Sequence, residues 1–88
     1  MPKKEIKNDL EEDLKYLLGT LGIEIFYSIE RGARNDETIK LFSGIPIVCI
    51  KGRIPVLVGL NLIEKKNKEY YLTKKGQRFK NLLEREER

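Results

Sequence analysis

Eighty-eight residues with one cysteine and no histidine amount to one thin-cored domain, burying about 60 to 65% of its unfolded surface; they exclude an internal disulfide and leave no zinc- or iron-ligand set. The formal charge of +4 is unevenly held, because residues 51–83 carry nine basic side chains against Glu64 and Glu69, a local +7. Without a histidine base or a Gly-rich phosphate loop, catalysis, a cofactor and a small-molecule substrate are not expected. The basic stretch reads as the footprint of a polyanion, against the plainer reading of a solvated lysine face. The start of the chain has no apolar run of signal type. Ile45 to Ile50 and Ile54 to Leu60 are too short to cross a bilayer, so no membrane partner and a cytoplasmic location are expected. Gln77 is the only glutamine among many Lys, Glu and Ile residues, a bias common in proteins of thermophiles.

In chain order, Asn8 with Glu11 three residues on predicts a capping box. A helix over 8–21 follows, with Leu10, Leu14, Leu17, Leu18 and Leu21 on one face and Gly19 and Gly22 ending or interrupting it. A second helix is expected from Ile23 to Arg31, stopped by Gly32. After the extended connection Ala33-Arg34-Asn35, Asn35 or Asp36 caps a third helix through Phe42, burying Ile39 and Phe42. Ser43-Gly44 predicts a tight turn, and Pro46 suits the first turn of a fourth helix.

In that helix, Ile50, Ile54, Leu57 and Leu60 form an inward stripe. Pro55 predicts a bend near Lys51–Pro55 or a split into two short helices. Asn61 is placed to end it in the left-handed conformation. The period then changes to that of strands. Leu62 to Lys66 and Glu69 to Leu72 read as a hairpin around an Asn67-Lys68 turn, with Tyr70 and Leu72 on one face and Tyr71 on the other. Thr73 caps a last helix that buries Phe79, Leu82 and Leu83. The fold class is mainly α with a small antiparallel β-hairpin, in a single domain spanning 1–88.

Ser43-Gly44-Ile45-Pro46, Leu60-Asn61-Leu62-Ile63-Glu64-Lys65-Lys66 and Tyr70-Tyr71-Leu72-Thr73-Lys74-Lys75-Gly76 resemble the turn, the recognition-helix exit and the second wing strand of winged helix-turn-helix domains of bacterial and archaeal transcriptional regulators. The resemblance covers 23–83 and leaves 8–21 as an extra N-terminal helix. It implies a duplex DNA-binding protein, a transcriptional regulator with recognition helix 46–60 in the major groove and basic wing 62–72 along the backbone. The residues it nominates for DNA contact are Val48, Lys51, Gly52 and Arg53 on the helix, and Lys65, Lys66, Asn67, Lys68 and Lys74 on and after the wing. Lysines at a hairpin tip reach phosphates without reading sequence.

The sequence departs from that family where base-reading side chains are expected: Ile47, Val48, Gly52, Pro55 and Val58 stand there. Apolar groups can meet thymine methyls or mark a protein interface. The alternative reading is therefore a winged-helix protein-interaction module without sequence-specific DNA binding. Tyr71, Tyr16 or Tyr27 would have to stack bases if the ligand were single-stranded. Leu10, Leu14, Leu17 and Leu21 are expected as a homodimer contact, with an added core helix as the competing reading. Cys49 is expected to be a half-buried packing residue rather than a redox switch.

Overall fold

The computed structural model describes the backbone of residues 3–86 and the side chains of 14–85. The elements are α1 (Lys3–Glu30), α2 (Asp36–Ser43), α3 (Ile47–Gly59), β1 (Ile63–Lys66), β2 (Glu69–Leu72) and α4 (Lys74–Glu86). Three helices, a hairpin and a closing helix make an α+β winged-helix arrangement, as the sequence implied.

α1 begins at Lys3, so Asn8 lies inside the helix and does not cap it. The expected interruption falls at Gly19, with φ 68° and ψ 177° inside the helix, a region open essentially only to glycine. Gly22 stays helical, so α1 consists of the two expected helical segments, divided by a kink at Gly19 rather than at Gly22. Leu18 is buried, whereas Leu17 beside it and Leu21 beyond the kink remain 57% and 39% exposed, so the leucines do not share one buried face. Leu14 packs at the edge of the core.

Of the two candidates, Asn35 and not Asp36 caps α2, its Oδ1 accepting from the Thr38 amide at 2.8 Å and the Thr38 hydroxyl at 2.9 Å. Gly44 closes α2 at φ 78°, and three residues, Gly44 to Pro46, then turn the chain by 110° into α3. That angle and turn length are those of a helix-turn-helix. Phe42 is 46% exposed, contrary to expectation. Ile39 occupies the inward position of this short helix, and Phe42 lies on the border between core and solvent.

α3 continues as one helix through Pro55, so of the bend or split that the sequence predicted, the split does not occur. The proline removes the bond to the Lys51 carbonyl, but Lys51 and Pro55 both face solvent, where water can take up the freed acceptor. Pro46 caps α3 from outside rather than entering its first turn. Asn61, at φ 62°, ends it, with the Leu62 amide donating back to the Leu57 carbonyl at 3.0 Å.

β1 and β2 pair antiparallel, Ile63 opposite Leu72 and Lys66 opposite Glu69. The tip residues Asn67 and Lys68 both have positive φ, 51° and 68°, the conformation of a type I′ turn that matches strand twist. Thr73 accepts the Gly76 amide at 3.0 Å and so caps α4. Gly76 fits because a Cβ there would overlap the Leu62 carbonyl oxygen. One core joins all these elements, from Leu18, Ile25, Phe26 and Ile29 of α1 through Ile39, Ile50 and Leu57 to Ile63, Tyr70, Phe79 and Leu83. Phe26 and Phe79 meet edge to face at 5.4 Å, which fastens α4 to α1. Leu82 is half-buried.

Candidate nucleic-acid interface

With Ile50 and Leu57 buried and Ile54 and Leu60 packed at the core edge, α3 turns one continuous face to solvent. Val48, Lys51, Gly52, Pro55, Val58 and Gly59 are all exposed, at the spacing of a single helical face. Val48 is 77% exposed. Lys51 is the one charged side chain on this face, and no uncharged hydrogen-bonding side chain accompanies it. Arg53 is half-buried beside it rather than on it. Cys49 is half-buried, as expected of a packing residue.

The hairpin leaves α3 through Asn61, and its outer half is solvated: Lys65, Lys66, Asn67 and Lys68 are exposed, as is Lys74 at the start of α4. These cations are not equally available. Lys65 sits 5.6 Å from the Tyr70 ring centroid, and Lys66 lies 3.8 Å from Glu64 in a solvent-exposed pair. Lys75 donates to the Leu60 carbonyl at 2.9 Å. Lys80 bridges Glu30 and Glu84 at 3.5 and 3.8 Å. Among the described residues, Lys51, Arg53, Lys68, Lys74 and Arg78 make no ion pair or side-chain hydrogen bond. Unpaired positive charge thus includes that on α3, the hairpin tip and the first turns of α4, and among the described residues Arg31, Lys40 and Arg85 are likewise exposed without an ion pair. An open groove lined by Glu24, Glu30, Glu84, Arg31, Ile23 and Tyr27 has the opposite balance.

Both tyrosines of β2 are engaged with the protein. Tyr70 is buried and its hydroxyl donates to Asp36 Oδ1 at 2.9 Å. Its pKa is pushed up to about 12, first by burial, then by that hydrogen bond and the carboxylate charge. Tyr71, read from the sequence as an outward residue open to a base, is half-buried. The Arg34 guanidinium carbon lies 4.4 Å over its ring centroid, and its hydroxyl donates to Glu69 at 2.7 Å. One face of the ring is therefore covered. Of the other tyrosines, Tyr27 is half-buried and Tyr16 is exposed on α1. Arg34 itself is a residue that sequence reasoning missed. The only signal available was an arginine in an extended connection, which says nothing of what the side chain meets.

Of the leucines nominated for dimer contact, Leu17 and Leu21 are open to solvent and Leu14 is half-buried against its own domain. The side chain of Leu10 lies outside the described residues. Among the described residues no cluster of acidic, cysteine or histidine side chains could hold a metal ion, and no single helix is long and apolar enough to cross a membrane.

The chain is 37% identical over 75 residues to an uncharacterised helix-turn-helix (HTH)-type transcriptional regulator of the archaeon Methanocaldococcus jannaschii, a match covering 78% of this chain and 71% of the relative. No family model matches the chain. No solved structure matches it.

Proposed function

The chain belongs to the HTH-type transcriptional regulators, and from that premise we propose that it binds duplex DNA, with α3 facing the major groove and the hairpin following the adjacent backbone. The observation that carries this reading is the set of unpaired cations, Lys51, Lys68, Lys74 and Arg78, exposed on the hairpin and on the two helices flanking it. Phosphates are the partner that such a spread of point charges fits. Lys65 and Lys66 add to the same surface, since their contacts to Tyr70 and Glu64 are solvated ones that a phosphate can displace.

The lysine at the tip supports the reading further. Position 68 has φ 68°, where glycine is the favoured residue of a type I′ turn and a side chain costs about 1 kcal/mol. A strained lysine at an exposed tip, where glycine would fold better, places a charge at the cost of backbone strain.

The open face of α3 limits what is read. Hydrogen-bonded base recognition needs donors and acceptors, and this face offers Lys51 among Val48, Gly52, Pro55 and Val58. The duplex is held chiefly through its backbone, with discrimination restricted to a contact by Lys51 and to thymine methyls against Val48. A salt titration tests this: affinity for every duplex should fall steeply with salt, by a log–log slope that counts the phosphates neutralised. Absence of binding to any duplex at low ionic strength would end the proposal, and selection of one sharply defined site from a random pool would end the claim of weak selectivity.

A second reading has its own observation. Val48, Pro55 and Val58 are exposed together, as an apolar docking patch for a protein partner would be. It predicts a partner that binds as well to a variant lacking Lys65, Lys66 and Lys68 as to the wild type.

A further inference from the structure

We infer that Arg34 is the positioning residue of the hairpin, a clamp that fixes the wing against the helix-turn-helix unit; its part in DNA binding rests on the reading just given. The main chain and side chain of Arg34 both grip Tyr70. The Tyr70 amide donates to the Arg34 carbonyl at 2.9 Å, and Arg34 Nη1 donates to the Tyr70 carbonyl at 2.8 Å. The same nitrogen lies 3.1 Å from the Ile29 carbonyl and 3.2 Å from that of Ala33. One guanidinium thus joins the last turn of α1, the connection before α2, and β2. Its central carbon then lies 4.4 Å over the centroid of the Tyr71 ring. Two residues further on, Asp36 takes the Tyr70 hydroxyl, so the segment that opens α2 also holds the wing.

The hairpin needs such a fixing point. A two-stranded hairpin is marginal by itself, and its tip is exposed from Lys65 to Glu69. The inner end is anchored by Ile63 in the core, which leaves its tilt to be set by contacts along β2. Lysine cannot replace Arg34, because it offers a point charge without the flat fork that bonds carbonyls and stacks on a ring. The Arg34 charge is directed at three carbonyl oxygens, so it acts through the wing rather than on a phosphate.

The test uses the full chain as wild type, Arg34→Ala and Arg34→Lys, each with far-UV circular dichroism to establish folding. Without DNA, hydrogen exchange at the hairpin amides of 64–71 should quicken by about tenfold in both variants, while α1 and α3 amides keep their rates. Unchanged hairpin rates, or an equal rise at every amide, would overturn the clamp. With DNA, Arg34→Ala should weaken binding by about tenfold in the wild-type background but less than about twofold when Lys66→Ala and Lys68→Ala are already present. Equal losses in both backgrounds would make Arg34 a direct phosphate contact and overturn the inference, as would wild-type behaviour of Arg34→Lys. If the wild type binds no duplex, the DNA reading falls, and the exchange experiment alone decides the clamp.

Discussion

Gly76 and Tyr70 show how much a single position can depend on a neighbour far away in sequence. Nothing local requires glycine in the first turn of α4; the requirement comes from the Leu62 carbonyl, which a Cβ would strike. Gly76→Ala should lower stability by about 1–3 kcal/mol through overpacking, read as a reduced urea midpoint. Tyr70 depends on burial and on Asp36, which raise its pKa to about 12, above the usual value near 10 of an unfolded tyrosine. The folded state therefore holds this proton more tightly. Its contribution is complete below about pH 10 and is lost as pH rises through about 12. Urea midpoints of wild type and Tyr70→Phe should accordingly converge between these values. A difference that stays constant up to pH 12 would refute the linkage. Tyr70→Phe should also be weaker at neutral pH, by about 1 kcal/mol for the lost bond.

At the scale of elements, the hairpin tip sets function against stability. Lys68→Gly relieves a left-handed side chain and should stabilise the domain by about 0.5–1 kcal/mol. The same change should weaken duplex binding and reduce the salt slope by about 1. If lysine 68 were only a solvated residue, the stability gain would come with no loss of binding. α3 illustrates a different balance. Pro55 signalled a bend or a split in the sequence, and the helix continues without a split, because the missing bond falls on the solvent side and the inward stripe of Ile50 and Leu57 holds both halves to one core. The hairpin was the most legible element, since Asn67-Lys68 between two alternating runs specifies its own turn and register. Phe42 was among the least legible, because an apolar residue at helical spacing does not reveal whether a neighbouring element reaches far enough to cover it.

For the whole molecule, two of the leucines flanking Gly19 are left over for a partner. Leu18 enters the core, and Leu17 and Leu21 are exposed beside Tyr16. A homodimer built on this surface remains our expectation: thin cores gain from partners, and two half-sites on DNA suit a two-fold assembly. Leu17→Glu with Leu21→Glu should then convert a species of twice the chain mass into monomer in light scattering, without loss of helicity. A monomeric wild type would remove the dimer from the proposal and leave a single-site DNA binder.

The sequence by itself determined the order of helices and hairpin, the cap at Thr73, the left-handed stop at Asn61 and the basic stretch from Lys51 onward, because these follow from local periodicity, capping chemistry and charge. Tertiary structure decided which cations stay unpaired, which leucines of α1 are exposed, and that Arg34 meets Tyr70 and Tyr71. The last of these depends on approach between segments more than thirty residues apart, as in the Arg34–Tyr70 bond, and spacing along one strand of chain carries no information about such a meeting.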